Sequence, residues 1–370
     1  MKLTCEREKL LQAFQLAAGV APSRSPKPIL ENIKLEARQE GVTLMATDLE
    51  VGIRIDVPGI EVSAPGDVVL PTKRVGPILR ETSDEKLLLE SDGARLRIRG
   101  ERSEFQLPTQ NPEEFPAVRP FEESKFHQLP ARFLRELLRR TSFATDTESS
   151  RYALGGVLLE LSETGIIAVG TDGRRLARQE GPAESVGGHV TRENTVVPTR
   201  AIQLIERGLV DGEEAVQVAA RENDVMVKSQ RVTIYSRLVE GRYPKWRDVF
   251  PKTEDMQKVE LAVGPFYSAV RQAAVVTSEE HRGVEFIFGG GKLVLTAHGA
   301  ELGESRVELP IGYEGAETPV RLDPRFMGDF LRVLDPASMI TFSFRDAESA
   351  VVCTTGDGYA YVVMPLSREA

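Results

Sequence analysis

Apolar side chains recur at helical spacing in three separate stretches of the chain, which predicts three amphipathic helices. Their apolar faces are formed by Leu10, Phe14, Ala17 and Ala18, by Phe133, Leu134, Leu137 and Leu138, and by Phe266, Val270, Ala273 and Ala274. Between the helices, runs rich in branched residues predict β-strands, among them Val157–Leu161, Val216–Ala219 and Val351–Cys353. The chain therefore mixes helices and strands throughout its length.

One strand pattern occurs three times. Gly41-Val-Thr-Leu-Met-Ala-Thr-Asp48 returns as Gly165-Ile-Ile-Ala-Val-Gly-Thr-Asp172 and again as Gly291-Lys-Leu-Val-Leu-Thr-Ala-His298, at offsets of 124 and 126 residues. The segments that introduce a second helix repeat at similar offsets, at Pro71, Pro198 and Asp323. A common period near 125 indicates three copies of one module.

Each module is predicted to run strand, helix, several strands, helix and further strands. Asp-Gly pairs at Asp92-Gly93, Asp172-Gly173 and Asp357-Gly358 indicate hairpin turns. The predicted fold class is therefore α+β, with two helices on one face of an antiparallel sheet in each copy. Charged, proline-containing segments at 119–124 and 248–257 predict domains at 1–122, 123–253 and 254–370.

Composition narrows the function classes. The two cysteines, Cys5 and Cys353, exclude a disulfide scaffold, and the four histidines lack ligand-like spacing. We expect no metal and no cofactor. The chain has no apolar run of membrane-spanning length and no signal-like N-terminus, so we expect a cytoplasmic protein. A net charge of −9 argues against a simple nucleic-acid coat.

The basic residues, however, concentrate on the predicted helices. Arg132, Arg135 and Arg139 are spaced i, i+3 and i+7, and Arg140 follows them. Further basic residues near the second helices are Lys73, Arg74, Arg80, Arg200, Arg207, Arg325 and Arg332. Helix surfaces are often charged, but repeated basic stripes in an acidic protein favour contact with phosphates. Without a base-reading motif, such contact predicts DNA binding that is independent of sequence.

Six stretches spread along the chain are distinctive: Pro28-Ile-Leu30, Thr47-Asp-Leu-Glu50, Arg151-Tyr-Ala-Leu-Gly-Gly-Val-Leu-Leu-Glu160, Thr171-Asp-Gly-Arg-Arg-Leu-Ala177, Leu238-Val-Glu-Gly-Arg-Tyr-Pro244 and Tyr361-Val-Val-Met-Pro365. Through these stretches, and over essentially all 370 residues, the chain resembles the bacterial β sliding clamp family, the processivity subunits of DNA polymerase III.

The resemblance implies a head-to-tail homodimer that closes into a ring of six domains, with antiparallel sheets outside and twelve helices inside. On one side of the interface it implies Arg102, Phe105 and Leu107, and on the other Val275, Val276, Glu301 and Glu304. Such head-to-tail contacts stay finite only if the rotation closes, which two copies would achieve here.

The resemblance also implies a function: the ring encircles double-stranded DNA and tethers the replicative polymerase, without catalysing a reaction. Its partners would be the polymerase III alpha subunit, the clamp loader and other proteins with clamp-binding peptides. It adds Arg24, Lys73 and Tyr152 to the predicted DNA contacts, which then comprise Arg24, Lys73, Arg74, Arg132, Arg135, Arg139, Tyr152 and Arg200.

A hydrophobic pocket for partner peptides is implied at matching positions: Leu154, Thr171, Gly173, Arg174, Arg175, Leu176, Pro244, Arg247, Val249, Val362, Met364, Pro365 and Leu366. Without the resemblance, these residues would be read as a hairpin turn and a last strand. The chain departs from the family pattern at Glu148, Ala153, Arg174 and Ser367. The single tryptophan, Trp246, is expected to flank the pocket.

Two other function classes are open to a chain of this composition. An enzyme using Asp48, Asp172 or Asp224 is disfavoured because two of these aspartates occupy repeated turn positions. The triple glycine Gly289–Gly291 lacks the lysine and hydroxyl residue of a phosphate-binding loop. A noncatalytic repeat scaffold that binds only proteins remains the alternative to a clamp, and retention on circular but not cut DNA distinguishes the two.

Overall fold

The computed structural model describes residues 1–146, 148, 153–191, 194–209, 214–279, 281–299 and 302–367. Over these residues it contains seven α-helices: α1 Arg7–Ala18, α2 Thr72–Glu81, α3 Ala131–Ser142, α4 Thr199–Gly208, α5 Trp246–Val249, α6 Val263–Ala273 and α7 Pro324–Arg332. Short 3-10 turns lie at Pro28–Glu31, Pro112–Glu114 and Ala274–Val276.

The strands of the described residues fall into an early and a late series. The early strands are β1 Lys2–Glu6, β2 Ile33–Arg38, β3 Gly41–Thr47, β4 Val51–Val57, β5 Ile60–Ala64, β6 Gly66–Leu70, β7 Lys86–Ser91, β8 Arg95–Arg99, β9 Glu104–Pro108, β10 Phe126–Pro130, β11 Gly156–Leu161, β12 Gly165–Thr171 and β13 Arg175–Pro182. The late strands are β14 Glu184–Val186, β15 Thr195–Pro198, β16 Ala215–Ala220, β17 Asp224–Lys228, β18 Val232–Arg237, β19 Gln257–Ala262, β20 Val284–Gly289, β21 Lys292–Gly299, β22 Gly303–Pro310, β23 Thr318–Leu322, β24 Met339–Phe344, β25 Val351–Thr354 and β26 Tyr359–Val363.

The first of two compact units comprises Met1–Arg135, Ser162–Thr164 and Ala183–Leu238. It contains a five-stranded sheet in the order β5-β1-β7-β8-β9 and a nine-stranded sheet in the order β14-β10-β16-β17-β18-β4-β3-β2-β6. Helix α1 lies against α2, β3 and β4 and buries Leu10, Phe14 and Ala17. Burial of that apolar face is what holds the helix, because its N-cap has no side-chain hydrogen bond.

The second unit comprises Glu136–Leu161, Gly165–Pro182 and Val239–Ala370. Seven of its strands form one sheet in the order β11-β12-β13-β26-β25-β24-β19, and four form another in the order β22-β21-β20-β23. Helix α6 contacts α7, β21 and β22. The core of the second unit is rich in aromatic rings, including Phe266, Phe286, Phe288, Phe342 and Phe344. The rings of Phe288 and Phe344 stack with their centres 4.5 Å apart.

The antiparallel sheets continue across the predicted module boundaries. In the first unit β18 pairs with β4, and in the second β13 pairs with β26. Each pairing joins strands that the repeat assigns to different modules. The compact units therefore do not coincide with the three predicted domains, because backbone hydrogen bonds tie neighbouring modules together.

The helix faces agree with the predicted apolar stripes at most positions and differ at a few. Ala18, Phe133 and Ala274 are half-buried rather than fully covered. Arg140, placed with the exposed arginines of α3 in the sequence, is only 7% exposed. It pairs with Glu136 and Asp357 and donates to Gln179, so burial among acceptors removes it from the basic stripe.

Cys5 and Cys353 are buried free thiols, and burial raises the pKa of Cys5 to about 12. Among the described residues no cluster of three or more potential metal ligands occurs. Nor does any helix in that part of the chain combine the length and apolarity needed to span a bilayer.

Candidate functional site

Three of the predicted DNA contacts lie near the second helix of the first unit. Arg24 and Arg74 are exposed, and Lys73 is exposed while its Nζ lies 2.6 Å from Glu31 Oε2. The hydrogen bond from Lys73, together with one from the Ser25 amide, keeps the pKa of Glu31 below its ordinary value. Because the Lys73 pair is exposed, a phosphate can compete with Glu31 for the ammonium group.

Helix α3 carries the predicted arginine stripe. Arg132 and Arg139 are exposed and Arg135 is half-buried. Arg139 donates to the carbonyl of Val333 at 3.1 Å, so part of its guanidinium is already used.

Arg200 and Tyr152 complete the predicted DNA contacts. Arg200 pairs with Asp48 and donates to the Val20 carbonyl at 3.1 Å, which ties α4 to the turn after β3. Tyr152 lies outside the described residues.

The turn at Thr171–Leu176, between β12 and β13, is held by side-chain oxygens. Thr171 Oγ1 accepts from the Gly173 amide at 3.1 Å and donates to the Arg175 carbonyl at 2.6 Å. Asp172 Oδ1 accepts from the amides of Arg174 and Arg175, at 2.9 and 3.0 Å. Gly173 has a φ of +87°, in the left-handed region that glycine adopts at little cost because it has no Cβ. These bonds fix the turn without help from a ligand.

The turn places an apolar strip beside Arg174. Leu176 lies opposite Val362 in the β13–β26 ladder, and the Met364 amide donates to the Arg174 carbonyl at 3.0 Å. Alternate residues share a face of a strand, so Arg174 and Met364 continue the face of Leu176 and Val362. Leu176 and Val362 are buried, whereas Met364 is 48% exposed. The strip therefore has a buried apolar floor and an exposed rim.

The guanidinium of Arg175 is fully engaged by the protein. Its Nε pairs with Asp172 at 3.0 Å and its Nη1 with Asp329 at 2.8 Å, and it stacks on Phe326 at 4.4 Å. Burial works against the charged form, yet contact with Tyr361 and these carboxylates raises the pKa of Arg175. Arg175 therefore supports the turn and the core beneath it.

The segment that follows β18, from Tyr243 to Phe250, packs against the same sheet. Tyr243 donates from its hydroxyl to the Val169 carbonyl at 2.9 Å. The Arg178 guanidinium lies 5.8 Å from the ring centres of both Trp246 and Phe250. Trp246, expected to flank the pocket, is 6% exposed and anchors this segment.

Glu160 completes this anchor. It accepts from Trp246 Nε1 at 3.2 Å and from both terminal nitrogens of Arg247, at 2.8 and 2.6 Å. Burial favours the neutral acid, but these hydrogen bonds outweigh it and hold the pKa of Glu160 below its ordinary value. Glu160 and Arg178 were missed in the sequence. The sequence did contain a signal for Arg178, because it follows Leu176 by two residues and side chains at that spacing share one face of a strand.

The other predicted pocket residues differ in exposure. Leu154 and Thr171 are 6% exposed, Pro244, Pro365 and Leu366 are half-buried, and Val249 is 64% exposed. The Leu366 amide donates to the Arg321 carbonyl at 2.8 Å, which fixes the chain after β26. All of these positions belong to the second unit.

The departures from the family pattern have defined surroundings. Ala153 is buried, and its amide donates to the Arg242 carbonyl at 3.2 Å. Glu148 is exposed, and its amide donates to Asp146 at 2.9 Å. Ser367 is exposed.

The predicted dimer residues lie on or beside β9, on β22 and in the 3-10 turn that contacts β22. Phe105 and Leu107 are half-buried on β9, the last strand of its sheet, next to exposed Arg102. Glu304 is exposed on β22, also an edge strand. Val275 is 78% exposed and Val276 is half-buried in the 3-10 turn after α6. Glu301 lies outside the described residues.

Comparison with known proteins identifies the fold. Models of the N-terminal, central and C-terminal domains of the DNA polymerase III beta subunit match residues 1–119, 128–245 and 247–367. A beta sliding clamp from Pseudomonas putida is 31% identical over 99% of this chain and 100% of its own length. The chain belongs to the DNA polymerase III beta subunit family, the sliding clamps.

Other clamps agree with this assignment. The Escherichia coli K12 beta sliding clamp is 28% identical over 99% of this chain and its full length. A Pseudomonas aeruginosa clamp bound to griselimycin superposes with a TM-score of 0.91 at 28% identity, covering both chains fully. A Bacillus subtilis clamp, at 24% identity and a TM-score of 0.91, shares the fold. The predicted fold class of three tandem clamp domains is confirmed.

The function that follows is that of a DNA sliding clamp, and members of this family are processivity factors rather than catalytic enzymes. Asp48 and Asp172, the aspartates at the repeated turns, have structural partners that fit this conclusion. Asp48 accepts from the amides of Glu50 and Val51, as Asp172 does in its own turn. DNA and a polymerase are the partners that clamp function entails.

Proposed function

We propose that this clamp works as a head-to-tail homodimer that encircles duplex DNA, with domains at 1–122, 123–253 and 254–370. The observation that carries the proposal is that predicted dimer residues lie on two outermost strands, Phe105 and Leu107 on β9 in the first unit and Glu304 on β22 in the second. An open edge presents unpaired backbone groups, so it favours pairing with another chain. Two different edges on one chain suit a heterologous contact.

The side chains at these edges are complementary. β9 offers the half-buried apolar Phe105 and Leu107, and the second unit offers Val275, 78% exposed. Arg102 next to β9 and Glu304 on β22 are exposed, whereas Arg97 and Arg99 pair with Glu104, and Glu308 pairs with Lys292 and Arg306. Apolar contact would stabilise the dimer, and opposite charges would set its orientation.

The ring is proposed to bind DNA through Arg24, Lys73, Arg74, Arg132, Arg135, Arg139, Tyr152 and Arg200. Exposed cations on helices, without any base-reading element, support contact with phosphates and free sliding. We expect the protein in the cytoplasm, where a bacterial chromosome is replicated.

The strip of Leu176, Val362 and Met364 is proposed as the pocket for peptides of the polymerase III alpha subunit, the clamp loader and other DNA-processing proteins. A buried apolar floor beside a flexible methionine suits a surface that accepts several partners. The remaining residues predicted from the resemblance would surround it. Tethering a polymerase here would raise its effective concentration at the primer end.

The dimer and the ring are tested together by a single exposed substitution, Val275→Asp. The wild-type chain is expected to show a native mass of about twice 40.8 kDa at micromolar concentration and, with loader present, to stay on closed circular DNA. It should leave when the circle is cut. Val275→Asp should shift the mass to that of the monomer and abolish retention, because it places a charge in the apolar contact.

Met339→Asp is the matched control, since Met339 is also an apolar residue, 51% exposed, but lies on β24, which pairs with a strand on each side and carries no residue of the proposed pocket. It should keep the dimer mass and the retention. A wild-type chain that is monomeric at micromolar concentration, or that stays equally on cut and closed DNA, would contradict the ring. Equal retention on both would favour a scaffold that binds only proteins.

A further inference from the structure

We infer that Arg174 makes this pocket select partner segments that carry an acidic side chain beside their apolar anchor. The inference rests on the proposed peptide pocket and names the chemistry of what binds there.

The first argument is the state of the arginines around the pocket. Arg175 is paired with Asp172 and Asp329, and Arg247 is held bidentately by Glu160. Arg178 is paired with Glu180 and lies between aromatic rings. The charges of these three arginines are balanced within the second unit.

Arg174 differs from them. It is exposed, and no carboxylate of the described residues lies within ion-pair distance of its guanidinium. Asp172 is the acid nearest in sequence, but its Oδ1 accepts from two backbone amides and its Oδ2 accepts from Arg175 Nε. The turn therefore consumes this carboxylate and leaves the Arg174 charge available.

The second argument is position. The hydrogen bond from the Met364 amide to the Arg174 carbonyl sets these residues side by side at the exposed end of the strip. Leu176 and Val362 form its buried floor two residues further along each strand. A segment whose apolar side chain contacts Met364 would bring its neighbouring side chains within reach of the Arg174 guanidinium.

The third argument is chemical. Arginine presents five donors in a planar fork that fits a carboxylate with two parallel hydrogen bonds. A neutral amide offers a single acceptor oxygen and no negative charge, and a lysine is repelled. The selectivity is expected to be modest, about threefold to fivefold, because Arg174 is exposed and its ion pairs are screened by water.

The test uses the full homodimer and fluorescein-labelled, acetylated hexapeptides. Each peptide contains two adjacent leucines, and the remaining positions carry asparagine, with one of them changed to aspartate or lysine. Fluorescence anisotropy gives the dissociation constants. For the wild type, one aspartate position should bind about threefold to fivefold more tightly than asparagine, and lysine there should bind more weakly.

Arg174→Gln should remove this difference, so that the aspartate and asparagine peptides bind with equal affinity, while Arg174→Lys should retain part of it. Lys245→Gln is the charge-matched control, because Lys245 is an exposed cation next to Pro244 on the adjoining segment, and the preference should persist in it. Added salt should reduce the preference in the wild type but not in Arg174→Gln.

Two results would overturn the inference while leaving the pocket intact: equal affinity of the wild type for aspartate and asparagine peptides, or an equal loss for both in Arg174→Gln. A different result would overturn the pocket itself. If no peptide binds the wild type, or if Leu176→Ala with Met364→Ala leaves affinity unchanged, the proposed peptide site is wrong.

Discussion

The turns Thr47–Gly52 in the first unit and Thr171–Leu176 in the second share one backbone design. In both, a threonine hydroxyl and an aspartate carboxylate accept the turn amides, and the next strand's amide closes the ladder. The closing bonds are from Arg237 to the Glu50 carbonyl at 2.9 Å and from Met364 to the Arg174 carbonyl at 3.0 Å. Identical scaffolding therefore does not by itself make a binding site.

What differs is the surface placed on that scaffold. Gly52 and Tyr235 occupy the ladder positions that Leu176 and Val362 occupy in the second unit. A Cβ on Gly52 would lie 3.0 Å from the side chain of Val118. Val118 therefore occupies the space that corresponds to the floor residue Leu176 in the second unit.

The rims differ as well. Glu50 pairs with Arg237 at 3.5 Å, whereas the second unit has Arg174 and Met364 at these positions. The first turn neutralises its own rim and covers its floor, and the second leaves both available to a partner. The duplicated module was thus specialised by a few side chains.

The largest effect on stability is expected at the strand residue that precedes each turn, Gly170 in the second unit and Ala46 in the first. A Cβ on Gly170 would lie 2.1 Å from the Thr141 carbonyl oxygen at the end of α3, whereas the equivalent position in β3 is Ala46. Gly170→Ala should therefore lower the free energy of unfolding by about 3 kcal/mol, measured by denaturant unfolding. Ala46→Gly should cost about 1 kcal/mol at most. Similar losses for both variants would show that the second turn does not depend on this close approach.

A smaller, opposite pair of effects is expected at the turn tips. Gly173 has a φ of +87° and Leu49 a φ of +80°, although leucine is disfavoured there. Gly173→Ala should destabilise the protein by about 1–2 kcal/mol, and Leu49→Gly should stabilise it by about 0.5 kcal/mol after the entropy cost of glycine.

Thermal unfolding of both variants provides the measurement. Gly312→Ala is the control, because Gly312 has open space and no left-handed φ, and it should leave stability unchanged or slightly raised. If Leu49→Gly destabilises the protein, contacts of the leucine side chain outweigh its backbone strain and the two tips are not equivalent.

The smallest effect is expected in the pH dependence of two segments, the one that contains Val118 in the first unit and the one that contains Trp246 in the second. Arg54 holds the first segment through the Val118 carbonyl at 3.0 Å, whereas the second depends on the Glu160 carboxylate. The pKa of Glu160 is lowered in the folded state, so its contribution is present above the ordinary value of 4.5 and is lost as pH falls below it.

Fluorescence of Trp246, the single tryptophan, reports this change directly. Its emission should stay constant from pH 7 to 5 and shift to the red below about pH 4.5. In Arg247→Gln the shift should begin at higher pH, because the carboxylate loses its partner. An unchanged onset in that variant would show that the ion pair does not govern the anchor.

Local sequence rules predicted the repeated elements well because those elements depend on nearby residues. The Asp-Gly pairs form hairpin turns with left-handed glycines at Gly93, Gly173 and Gly358, and the apolar helix faces are largely buried. Without homologous clamps, the pocket could not be recognised from the residues, since a floor residue such as Leu176 looks like any strand residue.

Features made by distant parts of the chain were not predictable. Arg140 is buried because Asp357 meets it from more than two hundred residues away. His127 and His189 have no ligand-like spacing, yet their Nδ1 atoms lie 2.7 Å apart in the core of the first unit. His127 Nε2 faces the Ser162 carbonyl and must donate to it, so the proton between the rings belongs to His189. Such pairings depend on the fold and not on spacing.

The β4–β18 and β13–β26 ladders also bear on how a closed ring would open. Each joins two modules through five paired residues, so a hinge within either ladder would have to break several main-chain hydrogen bonds together. Contacts between copies lack that covalent continuity and depend on two short edges. A loader that opens the proposed ring would therefore meet less mechanical resistance at the junction of the two chains than at either ladder.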